Sequence, residues 1–136
     1  RAAKASLESN ILSLYFPEGI DIEASHPDNP YQQAAYTGEA RLDFHLLYRP
    51  DVAVTIYIFT EENDTRDIRE LYELSQFLND INNRQYELEF LYTYQGYQTV
   101  LYTCWLWMQE PPYHKECYLF ISARQIDYYW NEMHPD

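Results

Sequence analysis

Asp43 and His45 are the nearest approach to acid–base chemistry in this sequence. They alternate with Leu42, Phe44 and Leu46, so an imidazole and a carboxylate share one predicted strand face, and such a pair can act as a general base. A base needs something to act on, and no Ser or Cys stands in a nucleophile-elbow pattern. The 3 glycines do not cluster, so no phosphate-cradling loop is encoded. His26, His114 and His134 fall in a loop, a turn and the tail, without the paired His/Cys spacing that zinc requires. The chain therefore reads as a non-enzyme with no catalytic, cofactor or metal residues. The Asp43–His45 pair reads as a surface contact.

The 2 cysteines are set by a predicted hairpin. With its turn at Glu110 and Pro111, Cys104 and Cys117 fall opposite each other, where a disulfide is geometrically conceivable. Their neighbours Tyr102, Leu106 and Leu119 are core-type residues, and an intracellular chain keeps such thiols reduced. Reduced thiols are the expectation.

Charge narrows the partners. The chain carries 22 acidic against 9 basic residues, a net charge of −13. Phosphate neutralisation needs a basic patch, so direct nucleic-acid binding is not expected, nor is binding to an anionic membrane. A field of this sign favours basic proteins and would steer them on approach. No apolar run is long enough to span a bilayer and no basic-then-apolar leader is visible. The expected compartment is the cytoplasm, although a cleaved leader would leave no trace.

Two groups of residues are candidates for holding a partner. The first is a carboxylate row, Asp64, Asp67, Glu70 and Glu73, drifting around the outer side of a helix predicted from Asp64 to Asn83, with Glu61 and Glu62 in front of it. It is either a solvated face, with Arg66 and Arg69 as ion-pair partners, or a docking surface. The second is aromatic: Tyr92, Tyr94, Tyr97, Trp105 and Trp107. On the strand from Tyr97 to Met108, one face carries Tyr97, Leu101, Trp105 and Trp107 and the other Val100, Tyr102, Leu106 and Met108. Both faces are bulky, so both should be covered. Either a second copy of the chain or a folded-over loop would serve, since large exposed aromatic patches are unusual on monomers.

The elements that must position these residues follow from periodicity. Leu7, Ile11, Leu14 and Tyr15 have helical spacing, stopped by Pro17 and Gly19. Ile20 to Glu23 reads as a short strand, and residues 24–39 as an exposed loop rich in breakers. Ala40 to Tyr48 alternates as a half-buried strand. Val52 to Phe59, apolar on both faces, should be central in its sheet. Ile68, Leu71, Tyr72, Leu74, Phe77, Leu78 and Ile81 give the long helix its stripe. Tyr86, Leu88, Phe90, Tyr92 and Tyr94 share a strand face opposed by Glu87 and Glu89, and Gly96 turns into the next strand. Glu116 to Ile121 is a further strand. Ser122 with Gln125 suggests a capping box ahead of a last helix through Ile126, Tyr129, Trp130 and Met133.

The predicted fold is one domain over residues 1–136, of α+β class. It has a mainly antiparallel sheet with helices on one face, in the order α-β-β-β-α-β-β-β-α. That order resembles the type III secretion chaperone fold and the related YbjN-like domains. Leu78-Asn79-Asp80-Ile81-Asn82 closing a helix, then Tyr86-Glu87-Leu88-Glu89-Phe90 and the turn at Gly96, look like the helix end and hairpin of those families. The resemblance implies a non-enzymatic homodimer that holds an extended client segment through apolar patches and strand addition. The function expected is thus a chaperone-like or adaptor-like protein-binding domain. The alternative is an inhibitor of a basic protein, either a toxin-immunity protein or a DNA mimic.

Overall fold

The first segment is a hairpin, not a helix. The computed structural model describes the backbone of residues 1–62 and 66–136, and the side chains outside 61–68. Strands β1 (Lys4–Glu8) and β2 (Ile11–Phe16) pair Glu8 with Ile11 across Ser9 and Asn10, whose φ values are +50° and +62°. Two left-handed central residues make the turn whose twist matches paired strands. Leu12, Leu14 and Phe16 are buried at period two, so the helical spacing of Leu7, Ile11 and Leu14 is coincidental.

Next come β3 (Asp21–Ile22) and β4 (Ala35–Thr37), which form a small sheet with the terminal β11 (Met133–Pro135) in the order β11-β4-β3. Within residues 24–39, Tyr31 and Tyr36 are exposed while Ala35 and Thr37 are buried. The Asn29 amide ties the loop by donating to the carbonyls of Glu23 (3.0 Å) and Gln33 (3.1 Å).

The main sheet has eight strands. It uses β1, β2, β5 (Ala40–Leu46), β6 (Val54–Glu62), β7 (Arg66–Tyr72), β8 (Glu87–Gly96), β9 (Thr99–Trp107) and β10 (His114–Trp130). Only two short helices occur among the described residues, α1 (Pro50–Ala53) and α2 (Leu74–Asn82). The α+β reading is thereby overturned: this is a largely β fold, and helices do not cover a sheet face in the expected order.

Two of the three predicted helices are strands, and the third is cut short. Arg66–Tyr72 pairs antiparallel with β6, placing Leu71 opposite Tyr57 and Arg69 opposite Phe59. Helix propensity is a weak preference, and β6 offers a row of backbone groups on that edge that a neighbouring strand satisfies. The supposed stripe is split between faces: Tyr72 is buried, whereas Leu71 is 65% exposed. Only Leu74–Asn82 is helical, burying Phe77 and Ile81. The last predicted helix is the second half of β10, a strand of 17 residues.

Strand β10 organises the sheet. Its first half lies between β9 and β6, and its second half pairs with β5. The register slips between Ala123 and Gln125, so Arg124 is an extra residue in the ladder. Such a bulge bends a strand and exchanges its faces. Beyond it Ile126, Tyr128 and Trp130 pack against the core, while Asp127 and Tyr129 pair with Asp43 and Arg41. The sheet curls until Ala2 bridges Leu88 on the far strand β8, with backbone bonds of 2.6 and 2.9 Å. Phe16 reaches Phe90 at 5.5 Å and Phe44 reaches Tyr102 at 6.0 Å across the enclosed core.

Helix α2 packs against β1 and β6, and its last residue works as a strand substitute. The Asn82 side chain accepts from the Ala5 N–H (2.9 Å) and donates to the Ala5 carbonyl (2.8 Å), satisfying both backbone groups on the edge of β1. Asn82→Ala removes both bonds and should cost about 2 kcal/mol. The check is a urea midpoint that falls with an unchanged m value.

Cys104 and Cys117 are register partners on β9 and β10, as the hairpin count predicts, and both are free and buried. Burial pushes the Cys117 thiol up to about 12 and Cys104 further in the same direction. The thiols are packing groups, with almost no thiolate at neutral pH.

Candidate docking face

The outward face of the sheet half made by β7, β6, the start of β10, β9 and β8 carries most of the aromatic residues singled out above. On β9 the alternation is as read from the sequence. Val100, Tyr102 and Leu106 are buried, and Leu101, Trp105 and Trp107 turn outward and are half-buried. On β10 and β6 the matching outward positions are Tyr118, Phe120, Tyr57 and Phe59.

Strand β8 joins them through a second bulge. Its register slips between Phe90 and Tyr92, so Tyr92 pairs with Thr103 and Tyr94 with Leu101. Simple alternation would place both tyrosines inward with Leu88. The extra residue, Leu91, moves them outward, where they are 67% and 57% exposed.

Registers place these side chains in ranks. One runs Tyr92, Thr103, Tyr118, Tyr57, Leu71, and the next Glu89, Trp105, Glu116, Phe59, Arg69. Neighbouring rings interlock edge to face: Phe59 and Tyr118 are 4.7 Å apart and Tyr57 and Phe120 6.2 Å. His114 packs 4.3 Å from Trp105 and 5.0 Å from Trp107. None of these outward residues is buried.

Two of the chain's own cations lie on this surface. The Arg1 guanidinium sits 4.2 Å over Trp107 while pairing with Glu87 at 3.3 Å, and Arg69 lies 4.6 Å over Tyr57. Glu89 accepts from the Trp107 indole N–H at 3.2 Å. Ring faces beside carboxylates attract guanidinium and ammonium groups through both quadrupole and charge.

The remaining predicted site residues lie elsewhere. Tyr97, 90% exposed, stands in the turn joining β8 to β9, off the aromatic ranks. The described members of the carboxylate row do not share a helix face, because Arg66–Tyr72 is a strand. Glu61, Glu62 and Asp67 belong to the paired strands β6 and β7, and Asp64 lies outside the described residues. Glu70 is exposed on β7, and Glu73 is the residue before α2, where its side chain makes no capping bond.

The other sheet half has a polar outer face. His45 Nε2 lies 2.7 Å from Asp127 Oδ2, so its carboxylate comes from across the strands and not from Asp43. Asp43 accepts from Ser13 Oγ at 2.7 Å and stands 3.0 Å from Arg41 Nε, whose guanidinium stacks 4.3 Å over Tyr129. The Gln125 amide donates to Asp127 at 2.6 Å; this bond, with His45, holds the Asp127 carboxyl below its ordinary value. A carboxyl more acidic in the folded than in the unfolded chain adds stability that is complete above the unfolded value of about 3.9 and disappears as pH falls through the folded one. Asp127→Asn should therefore flatten the acid limb of a stability profile measured by urea midpoints from about pH 5 downward.

No group of three or more His, Cys, Asp or Glu side chains able to hold a metal occurs among the described residues. No described helix is long and apolar enough to cross a membrane. Compared with family models, curated proteins and solved structures, the chain matches none.

Proposed function

We propose that this protein is a non-enzymatic, adaptor-like binding domain that takes a basic segment of a partner protein on its aromatic sheet face. The observation that carries the reading is the outward rank structure of Trp105, Trp107, Tyr118, Phe120, Tyr57 and Phe59, left half-exposed among Glu87, Glu89 and Glu116. Apolar ring area supplies affinity, and aromatic residues dominate the energetics of interfaces. The net charge of −13 supplies the sign of the partner, and Arg1 and Arg69 are internal examples of the contact a basic side chain would make. A chaperone client and an inhibited basic protein both satisfy this chemistry.

The test is affinity capture from extract at stepped salt, using the native chain beside Trp105→Ala/Tyr118→Ala. A basic protein retained by the native chain, released by salt and missed by the variant supports the proposal. Capture that is indifferent to both changes contradicts it. So does a native dimer that the variant converts to monomer, since the face would then be covered by a second copy.

A further inference from the structure

A cleft of about 1130 Å³ opens at the end of the enclosed core remote from α2. It lies between the tip of the β8–β9 hairpin, the β10 bulge and the loop from Ile20 to Asp28. Its origin is in the sequence. The inward positions there are Thr93 and Gln95 on β8 and Ala123 on β10, too small or too polar to fill the space that Leu88, Cys104 and Leu106 fill further along. Its floor is apolar, with Leu42, Val100, Ile121 and the stacked pair Phe90–Tyr102, whose rings lie 3.9 Å apart and 11° from parallel.

Tyr102 is 3% exposed and lines the cleft, and its hydroxyl makes no hydrogen bond to a protein group among the described residues. Tyr128, half-buried and flanked edge-on by His26 at 4.9 Å, likewise presents a phenol without a protein partner among the described residues. Burial raises both phenols, so each remains a donor at neutral pH. At the rim, the exposed Asp21, Glu23 and Asp28 face a single guanidinium, Arg124. That balance disfavours a carboxylate ligand.

We infer that this cleft is a binding site for a small apolar molecule with an uncharged carbonyl or alcohol head, the head taking the Tyr102 and Tyr128 hydroxyls and the body lying on the Phe90–Tyr102 platform. Concave, mainly apolar sites with a few convergent polar groups, often in the mouth of a curled sheet, are the usual form of small-molecule pockets.

The experiment is displacement of the neutral fluorophore phenylnaphthylamine from the full chain by methyl nonyl ketone, decanol or decanoate. The ketone and alcohol should displace it at roughly tenfold lower concentration than decanoate, as expected for loss of a good hydrogen bond together with repulsion at the rim. Tyr102→Phe, nearly isosteric, should raise the ketone concentration needed by roughly fivefold while leaving fluorophore binding in place. Thr93→Trp, at an exposed inward position in the mouth, should abolish fluorophore binding. Phe120→Ala, on the docking face, should change nothing. The assignment is overturned if Thr93→Trp still binds the fluorophore, if ketone and carboxylate compete equally, or if Phe120→Ala is the variant that loses binding.

Discussion

Deleting Phe120 should cost on the order of 5 kcal/mol, comparable to the whole stability of a typical domain, whereas deleting Arg124 should leave the fold in place. Arg124 is exposed and is the extra residue of the bulge. Ala123 pairs with Leu46 and Gln125 with His45, so without Arg124 the ladder closes in the same register, and Ile126, Tyr128 and Trp130 keep their inward face. Phe120 instead lies in the regular ladder between β6 and β9. Removing it slips the residues up to the bulge by one, which exchanges the two faces of a strand. Ile121 and Ala123, both buried, would turn outward, and Ser122 and Arg124 would turn toward the core. Urea midpoints and near-ultraviolet circular dichroism check it. A Phe120 deletion with a native spectrum and midpoint, or an Arg124 deletion that unfolds, would show that the bulge does not absorb the odd residue of β10.

The second large effect concerns the docking face. Tyr118 lies at the middle of its rank, between Thr103 and Tyr57, with Phe59 packed against its ring at 4.7 Å. Central aromatic anchors of this kind cost about 2 kcal/mol or more in binding when cut to alanine, roughly thirtyfold in affinity. Tyr118→Ala and Trp105→Ala should each weaken partner binding by that amount. Tyr31→Ala, in the exposed loop between β3 and β4, should be neutral. Because the face is only half-buried, folding stability should fall far less than for a buried core position such as Phe44.

Much of the sheet was legible, and the reasons for the failures are specific. The alternation of Leu42, Phe44 and Leu46, and the two-sided apolar character of Val52 to Phe59, point to strands and to an interior position for β6, although Val52 and Ala53 belong to α1 and the strand starts at Val54. The faces of β9 and the opposition of Cys104 and Cys117 are also readable, because both depend only on period two and hairpin arithmetic. Residues 2–15 mislead because a turn is hidden inside a helical spacing. Ser9-Asn10 is the signal that could have found it, since Asn tolerates the left-handed conformation that a two-residue hairpin needs. Arg66–Tyr72 misleads because charged residues favour helices locally, while the demand for a strand comes from β6, a neighbour several residues away in sequence. The bulges at Leu91 and Arg124 carry no glycine or proline to mark them. For that reason Tyr92 and Tyr94 emerge on the outer face although plain alternation sends them inward, and the tail beyond Ser122 imitates a capped helix.

The docking face was therefore visible in part. Trp105 and Trp107 could be assigned to one side of β9 from sequence alone. Tyr57, Phe59, Tyr118 and Phe120 join them only through the pairing of β6 with β10 and of β10 with β9, which no local pattern reveals.

The most direct measurement is a tryptophan-fluorescence titration of the full chain with an extended peptide alternating Arg and Leu, beside a control in which Glu replaces Arg. Trp105 and Trp107, two of the 3 tryptophans, lie on the face and report its occupation. A saturable response to the Arg peptide alone, weakened by salt and by Tyr118→Ala, is the predicted result. An equal response to both peptides, or none to either at low salt, would contradict the assignment of this surface to a basic partner.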